Sequence, residues 1–186
     1  MSRSSAKTVV VAISGAIGSG KTSVARALSK KLELPVASFG DYVRNVAKSR
    51  RQDISRTTLQ EISEELLSSV GPQNFVRNVL ADSSWNRLSP LVVDGLRHEQ
   101  VLMALRKEVE PIPVLLVYLE ATSSLRHERV AARDKGADSN LQEFELHSTE
   151  KEVATRIRSL ASVILDSSTS EETLVEAILS EMRRLE

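Results

Sequence analysis

The chain contains no cysteine among its 186 residues, which rules out a disulfide framework and any cysteine-based zinc site. Aromatic residues amount to 3%, too few to build the stacking platform on which single-stranded nucleic acid is held. Neither sign of charge prevails, with 25 Lys and Arg against 25 Asp and Glu. No bulk field therefore draws the chain onto nucleic acid or an anionic lipid surface, and arginine clusters have to be judged one by one. No apolar run approaches the roughly 20 residues of a membrane-spanning helix. The segment Met1–Lys7 is too short and polar for a signal peptide and is expected to be a loose tail, so a cytoplasmic location is expected. What is present is ordinary for one globular domain: 41% hydrophobic and 27% charged residues, in a chain long enough to bury a proper core.

Five short segments read as strands: Thr8–Ile13, Val36–Ser38, Leu91–Val93, Val114–Leu119 and Ser162–Leu165. Helical patterns separate them, which predicts βαβ units and a mostly parallel sheet. One helix is expected from Leu59, with Ile62, Leu66 and Val70 on the same face. Thr57 and Gln60 offer it a capping box, and Gly71-Pro72 is expected to end it. A last helix opens at Thr169-Ser170-Glu171-Glu172 and carries Leu174, Ile178, Met182 and Leu185 on one side. Two stretches break the alternation: a strand-free helical region over 41–86 and a polar, Gly- and Asp-containing region over 134–149. Insertions at strand C-terminal ends overhang the ligand crevice of an open α/β sheet, where an acceptor-binding unit and a lid would sit.

The most specific signal is Gly15-Ala16-Ile17-Gly18-Ser19-Gly20-Lys21-Thr22, a complete Gly-x-x-x-x-Gly-Lys-Thr loop between a strand and the helical pattern that starts at Ser23. Such a loop turns successive N–H groups around phosphate oxygens, with the helix N-terminus adding positive potential. Lys21 would supply a point charge to the outer phosphates and Thr22 a hydroxyl to a magnesium ion. Phosphoryl transfer needs positioning and positive charge, so a metal carboxylate and arginines are the groups to seek. Asp94, at the tip of the Leu91–Val93 strand, is the candidate carboxylate; its alternative role is to cap the helix beginning near His98. Arg97 stands at the same sheet edge and could grip an acceptor phosphate bidentately, or form a surface ion pair. Asp41 and Arg44 fall three apart on one helix face, so Asp41 could orient Arg44 on an acceptor phosphate or polarise an acceptor hydroxyl. Arg126, Arg129 and Arg133 form a stripe before the polar region, suited to reaching the transferring group; Arg156 and Arg158 are weaker candidates on its far side. His98, His127 and His147 lack metal-ligand spacing and are expected to be surface or helix residues. The Lys48, Arg50, Arg51 run is expected to be solvated, and Trp85 to anchor a loop by packing.

These motifs resemble P-loop nucleoside monophosphate kinases of the adenylate kinase type, and the related dephospho-CoA kinase-like proteins. Gly15–Thr22 resembles the family phosphate loop, Gly40-Asp41-Tyr42-Val43-Arg44 its acceptor-site Gly-Asp-x-x-Arg, Asp94-Gly95-Leu96-Arg97 its Asp-Gly-x-Pro-Arg without the proline, and Arg129-Val130-Ala131-Ala132-Arg133 its lid arginine pair. The segment 163–169 is similar to the loop that packs over adenine in dephospho-CoA kinases. The resemblance implies a single three-layer α/β P-loop domain, a five-stranded parallel sheet with helices on both faces. Its core would span 7–40, 87–133 and 150–186, with an acceptor-binding insertion at 41–86 and a short lid at 134–149. It implies transfer of the γ-phosphoryl of Mg-ATP to a small nucleotide, a nucleoside monophosphate first. Residues 15–23 (Gly15 to Ser23) would hold ATP, Thr22 and Asp94 the Mg2+, and Asp41, Arg44 and Arg97 the acceptor, with Lys21, Arg97, Arg129 and Arg133 stabilising the transferring group. Two alternatives stay open: phosphorylation of a hydroxyl, as in dephospho-CoA, with Asp41 as the carboxylate, and an ATP-binding switch. No nucleic-acid or membrane partner is expected.

Overall fold

The computed structural model describes residues 8–87, 89–133 and 151–185. Five parallel strands run β1 (Val10–Gly15), β2 (Val36–Ser38), β3 (Leu91–Asp94), β4 (Val114–Glu120) and β5 (Val163–Asp166). Their order across the sheet is β2-β3-β1-β4-β5. All five strands expected from apolar, β-branched runs are present. The alternation of side chains along a strand explains the two layers that cover the sheet. In β1, Val10 and Ala12 point into one buried cluster and Val11 and Ile13 into the other.

The first cluster is roofed by α2 (Phe39–Ser49), α3 (Arg56–Asp82), α4 (Glu99–Val109) and α6, a π-helical stretch Val153–Ile157 continued by one α-turn, Arg158–Leu160. The second lies under α1 (Lys21–Leu32) and α7 (Glu171–Arg184). The remaining helix, α5 (Ser123–Arg133), packs Val130 against Ile17 of the loop after β1. None of the helices described is long and apolar enough to cross a membrane.

Local sequence accounts for the helix starts. Ser38 and Ser170 cap α2 and α7 by accepting from the backbone N–H three residues on, at 3.2 and 3.1 Å. Helix α3 is capped by Ser55, which accepts from Thr58 N at 3.3 Å, instead of by the expected Thr57. Gly71 leaves the helical region (φ 76°, ψ 162°), but Pro72 opens a second helical segment in continuation of the first. The expected stop is therefore a kink: proline lacks the N–H that the first turn leaves unused anyway, and Phe75, Val76, Val79 and Leu80 beyond it are buried on the sheet. Trp85 donates to the Ser89 carbonyl at 2.9 Å and packs on the first cluster, the anchoring role expected of it.

Parallel register brings three chain ends to one edge. Ile13 of β1 and Ser38 of β2 both pair with Asp94 of β3. The loops that follow these strands therefore meet above the sheet, where an open α/β fold places its ligands.

Candidate active site

After Gly15 the chain turns tightly, with Ser19 N donating to Ala16 O at 3.1 Å, and enters α1 at Lys21. Gly20 N-caps α1 in a left-handed conformation (φ 85°), with no side-chain cap, so the first-turn N–H groups of α1 face the loop. Gly18 is dictated twice over: its φ is 81°, and a Cβ there would stand 2.7 Å from the Arg126 carbonyl oxygen of α5. Substitution Gly18→Ala is expected to weaken binding of a non-hydrolysable ATP analogue at least about tenfold, since a left-handed residue with a Cβ costs roughly 1–2 kcal/mol before any clash. Isothermal titration of both proteins reads this directly. Lys21 lies back over the loop, its Nζ donating to Ala16 O at 3.3 Å.

The Thr22 hydroxyl donates to Asp94 Oδ2 at 2.9 Å. Asp94 is 5% exposed, and its Oδ1 is buried without a hydrogen-bond partner. Buried carboxylate oxygens are rarely left so. Asp94 does not cap α4, whose N-cap is His98 and whose first amide, Glu99 N, donates to Glu152 Oε1 at 2.7 Å. A hydroxyl and an orphaned carboxylate oxygen beside a phosphate loop fit a hard divalent cation. Among the described residues no group of three or more acidic, His or Cys side chains could hold a metal alone. Mg2+, which takes most of its ligands from phosphates and water, needs few protein groups of this hydroxyl and carboxylate kind.

Beside this loop lies an apolar cleft between α2, α3 and the segment after β3, reached by Ile17 of the phosphate loop. Both Arg44 and Arg97 line it. Ser14 ties the floor down, donating to Leu96 O at 2.6 Å, and Gly95 N donates to Ile13 O at 3.2 Å. Burial lowers the pKa of Arg97, and the Asp94 charge opposes that shift. Asp41 is not part of the lining; its Oδ1 accepts from Arg44 Nη2 at 2.5 Å. Partial burial would raise the Asp41 pKa, but hydrogen bonding and charge from Arg44, helped by Ser38 and Arg26, hold the carboxyl below its ordinary value.

Arg129 reaches the phosphate loop from α5 as a strut. Its guanidinium donates to Ser19 O at 3.3 Å, Ser167 Oγ at 3.1 Å and Ser167 O at 2.7 Å, joining the loop to the turn after β5. Arg133 ends α5, and its side chain lies outside the described residues, as do the expected lid at 134–149 and His147. Arg156 and Arg158 pair with Glu99 and Glu120 and line no part of the cleft. Arg50 pairs with Glu65 in solvent, as expected for a solvated run.

Sequence reading missed two sets of cleft residues. Arg56, Gln60 and Ser63 line it from α3, and their spacing of four and three was the available signal. His98, expected to be a surface or helix residue, N-caps α4, lines the cleft and is buried at 8% exposure. It is sequestered because its ring is held by Glu152 of the helix before β5, a contact that spans 54 positions.

Residues 11–153 match the AAA-domain family. Cytidylate kinase of Pyrobaculum calidifontis is 31% identical over 159 residues, covering 85% of this chain and 77% of that protein. A UPF0200 protein of Pyrococcus abyssi is 28% identical over 148 residues, 78% of each chain. Among solved structures, a gluconokinase from Sinorhizobium meliloti superposes with a TM-score of 0.64 at 18% identity, over 97% of this chain and 94% of that one, and so shares its fold. The chain belongs to the AAA-domain family of P-loop proteins and is a P-loop kinase of the nucleoside monophosphate kinase type.

Proposed function

We propose that the chain transfers the γ-phosphoryl group of Mg-ATP to a nucleoside monophosphate. The observation that carries this reading is the pair Arg44 and Arg97 lining one cleft that opens beside the phosphate loop. Two guanidinium forks on one apolar-walled cleft suit a phosphate dianion carried by an organic body. The resemblance to cytidylate kinases supports a nucleotide acceptor.

In this reading Gly15 to Ser23 hold the donor. Thr22 and Asp94 would hold the Mg2+, which when bound would neutralise charge on the donor phosphates. Arg44, kept in place by Asp41, and Arg97 fix the acceptor phosphate. An acceptor oxygen forms a bond to the γ-phosphorus as the bond to the β-bridging oxygen breaks, and ADP leaves with that electron pair. Lys21 and Arg97 counter the charge spread over the moving group. Arg129, and Arg133 from the end of α5, are the further cations assigned to it. A phosphate oxygen is already deprotonated near neutral pH, so no general base is required. The region 41–86 acts as the acceptor-binding insertion of a single domain, and 134–149 as its lid.

Asp41 is what separates this reading from a hydroxyl acceptor. A carboxylate bound to Arg44 and held below its ordinary pKa is a poor base. The test is a coupled assay of ATP-to-ADP conversion against the common monophosphates and dephospho-CoA. Turnover is expected with at least one monophosphate, and Asp41→Asn should reduce it only through the acceptor KM. Turnover of dephospho-CoA alone, abolished by Asp41→Asn, would give the hydroxyl reading. ATP hydrolysis with no phosphorylated product would give a switch or ATPase.

A further inference from the structure

Helix α3 turns one face into the cleft: Arg56, Leu59, Gln60 and Ser63 all line it. Their spacing is that of a single helix face, so the side chains at these positions point the same way. Leu59 packs on the first buried cluster, while Gln60 and Ser63 stay partly exposed and open to a molecule that enters. Neither of these two polar side chains hydrogen-bonds a described residue. Further along the same helix, by contrast, Ser68 folds its hydroxyl back onto the Glu65 carbonyl at 3.0 Å, a common use of a helical serine. An unspent amide and hydroxyl among the apolar walls of Phe39, Val43 and Val101 make up a recognition surface, mostly apolar with a few placed polar groups.

The cleft has room for more than a phosphate. It encloses about 840 Å³, its open mouth included, within the roughly 300–1,000 Å³ of sites that take small organic molecules. Arg44 and Arg97 are assigned to the acceptor phosphate, so the α3 face is left for the organic body.

Building on the monophosphate reading above, we propose that Gln60 and Ser63 form the subsite for the nucleobase of the acceptor. The Gln60 amide sets an NH2 donor beside a carbonyl acceptor. Such a group pairs at two points with a base edge on which a donor and an acceptor are neighbours. Cytosine and adenine offer an amino group beside a ring nitrogen, and uracil and guanine a ring N–H beside a carbonyl. The exocyclic group at C4 of a pyrimidine or C6 of a purine is in every case half of the pair. No described residue fixes the Gln60 amide, so it can turn to meet either order of donor and acceptor. Ser63, three residues on and on the same face, supplies a further contact.

The experiment takes the common monophosphate that turns over fastest and compares its kcat/KM with that of the analogue lacking this exocyclic group. The analogue is pyrimidin-2-one riboside monophosphate for CMP or UMP, purine riboside monophosphate for AMP and 2-aminopurine riboside monophosphate for GMP. Wild-type protein should favour the parent by about tenfold, the scale of one net hydrogen bond. Gln60→Leu should bring that ratio close to one through the acceptor KM, with the KM for ATP unchanged. Leucine matches glutamine in helix propensity, so α3 is kept. Ser63→Ala should cost the parent about two- to fivefold. The side-chain NH2 resonances of Gln60, assigned by their loss in Gln60→Leu, should shift on addition of the monophosphate but not of ribose 5-phosphate, a readout that needs no turnover. If wild-type protein treats parent and analogue alike, if Gln60→Leu slows both equally, or if the Gln60 resonances ignore the base, the subsite is overturned and the monophosphate reading stands. If no monophosphate is phosphorylated, both fall together.

Discussion

Asp94→Asn is expected to lower kcat by about 10²–10³-fold, the scale on which a preorganised electrostatic contact to a developing charge acts, while the melting temperature moves by no more than about 3 °C. The two halves of that expectation come from the same side chain. Asparagine keeps the oxygen that accepts from Thr22 Oγ1, so the contact between α1 and β3 survives. It replaces the orphaned Oδ1 with an NH2 group that can neither ligate a cation nor carry charge. The loss of a buried, half-satisfied carboxylate favours folding, and the loss of the charge that opposes the desolvation of Arg97 works against it. These offset each other in stability but not in catalysis. The same loss also weakens the acceptor grip, so the KM for the acceptor should rise alongside the fall in kcat. Steady-state kinetics over a Mg2+ titration and a thermal melt of the same samples check both parts. Unchanged kinetics would reduce Asp94 to a structural partner of Thr22.

Arg97→Ala is expected to reduce kcat/KM for the acceptor by about 10²–10³-fold, with the KM for ATP within about twofold of the wild-type value. Arg97→Lys should recover only a small part of the loss. A lysine at this position restores the positive charge, but a single ammonium cannot present two parallel N–H groups to a phosphate. Arg44→Ala should be milder, about 10–100-fold, by analogy with contacts whose removal loosens a site without deleting its main charge. Arg44 is partly exposed and already engaged with Asp41, whereas Arg97 stands beside the Asp94 carboxylate at the edge of the phosphate loop. Initial rates with acceptor and ATP varied separately distinguish the two sides of the site. An equal rise in both KM values would mean that Arg97 shapes the fold around both ligands.

The sequence made the scaffold legible because its strands are short runs of β-branched residues bounded by turn signals, and all five lie where those runs predict. The donor half was equally legible, since a phosphate loop is one contiguous string whose neighbours in space are its neighbours in sequence. The proposed acceptor side of the cleft was readable only where it sits on strand ends. Arg44 and Arg97 follow β2 and β3 directly, so their convergence could be expected from topology. Gln60 and Ser63 were hidden inside an amphipathic pattern that already had an explanation in Leu59, Ile62 and Leu66. His98 was discounted for the same reason that it is interesting: what fixes it is Glu152, and no local pattern announces a partner so far along the chain. Gly71-Pro72 shows the other kind of miss. The local stop signal is real, but burial of Phe75 and Val79 beyond it outweighs the signal and continues the rod.

The alternation of β1 between two buried clusters has a consequence for how this protein comes apart. Val10 and Ala12 belong to one layer, Val11 and Ile13 to the other, and hydrogen bonds run from β1 to strands on both sides. Neither layer of helices can detach cleanly while the other persists, because each would strip half the cover from the same strand. The amides of β1 should therefore exchange with solvent only through global opening, at the highest protection in the molecule. The phosphate loop is tethered to the last segment to yield, so nucleotide bound there stabilises the whole fold and not a local flap.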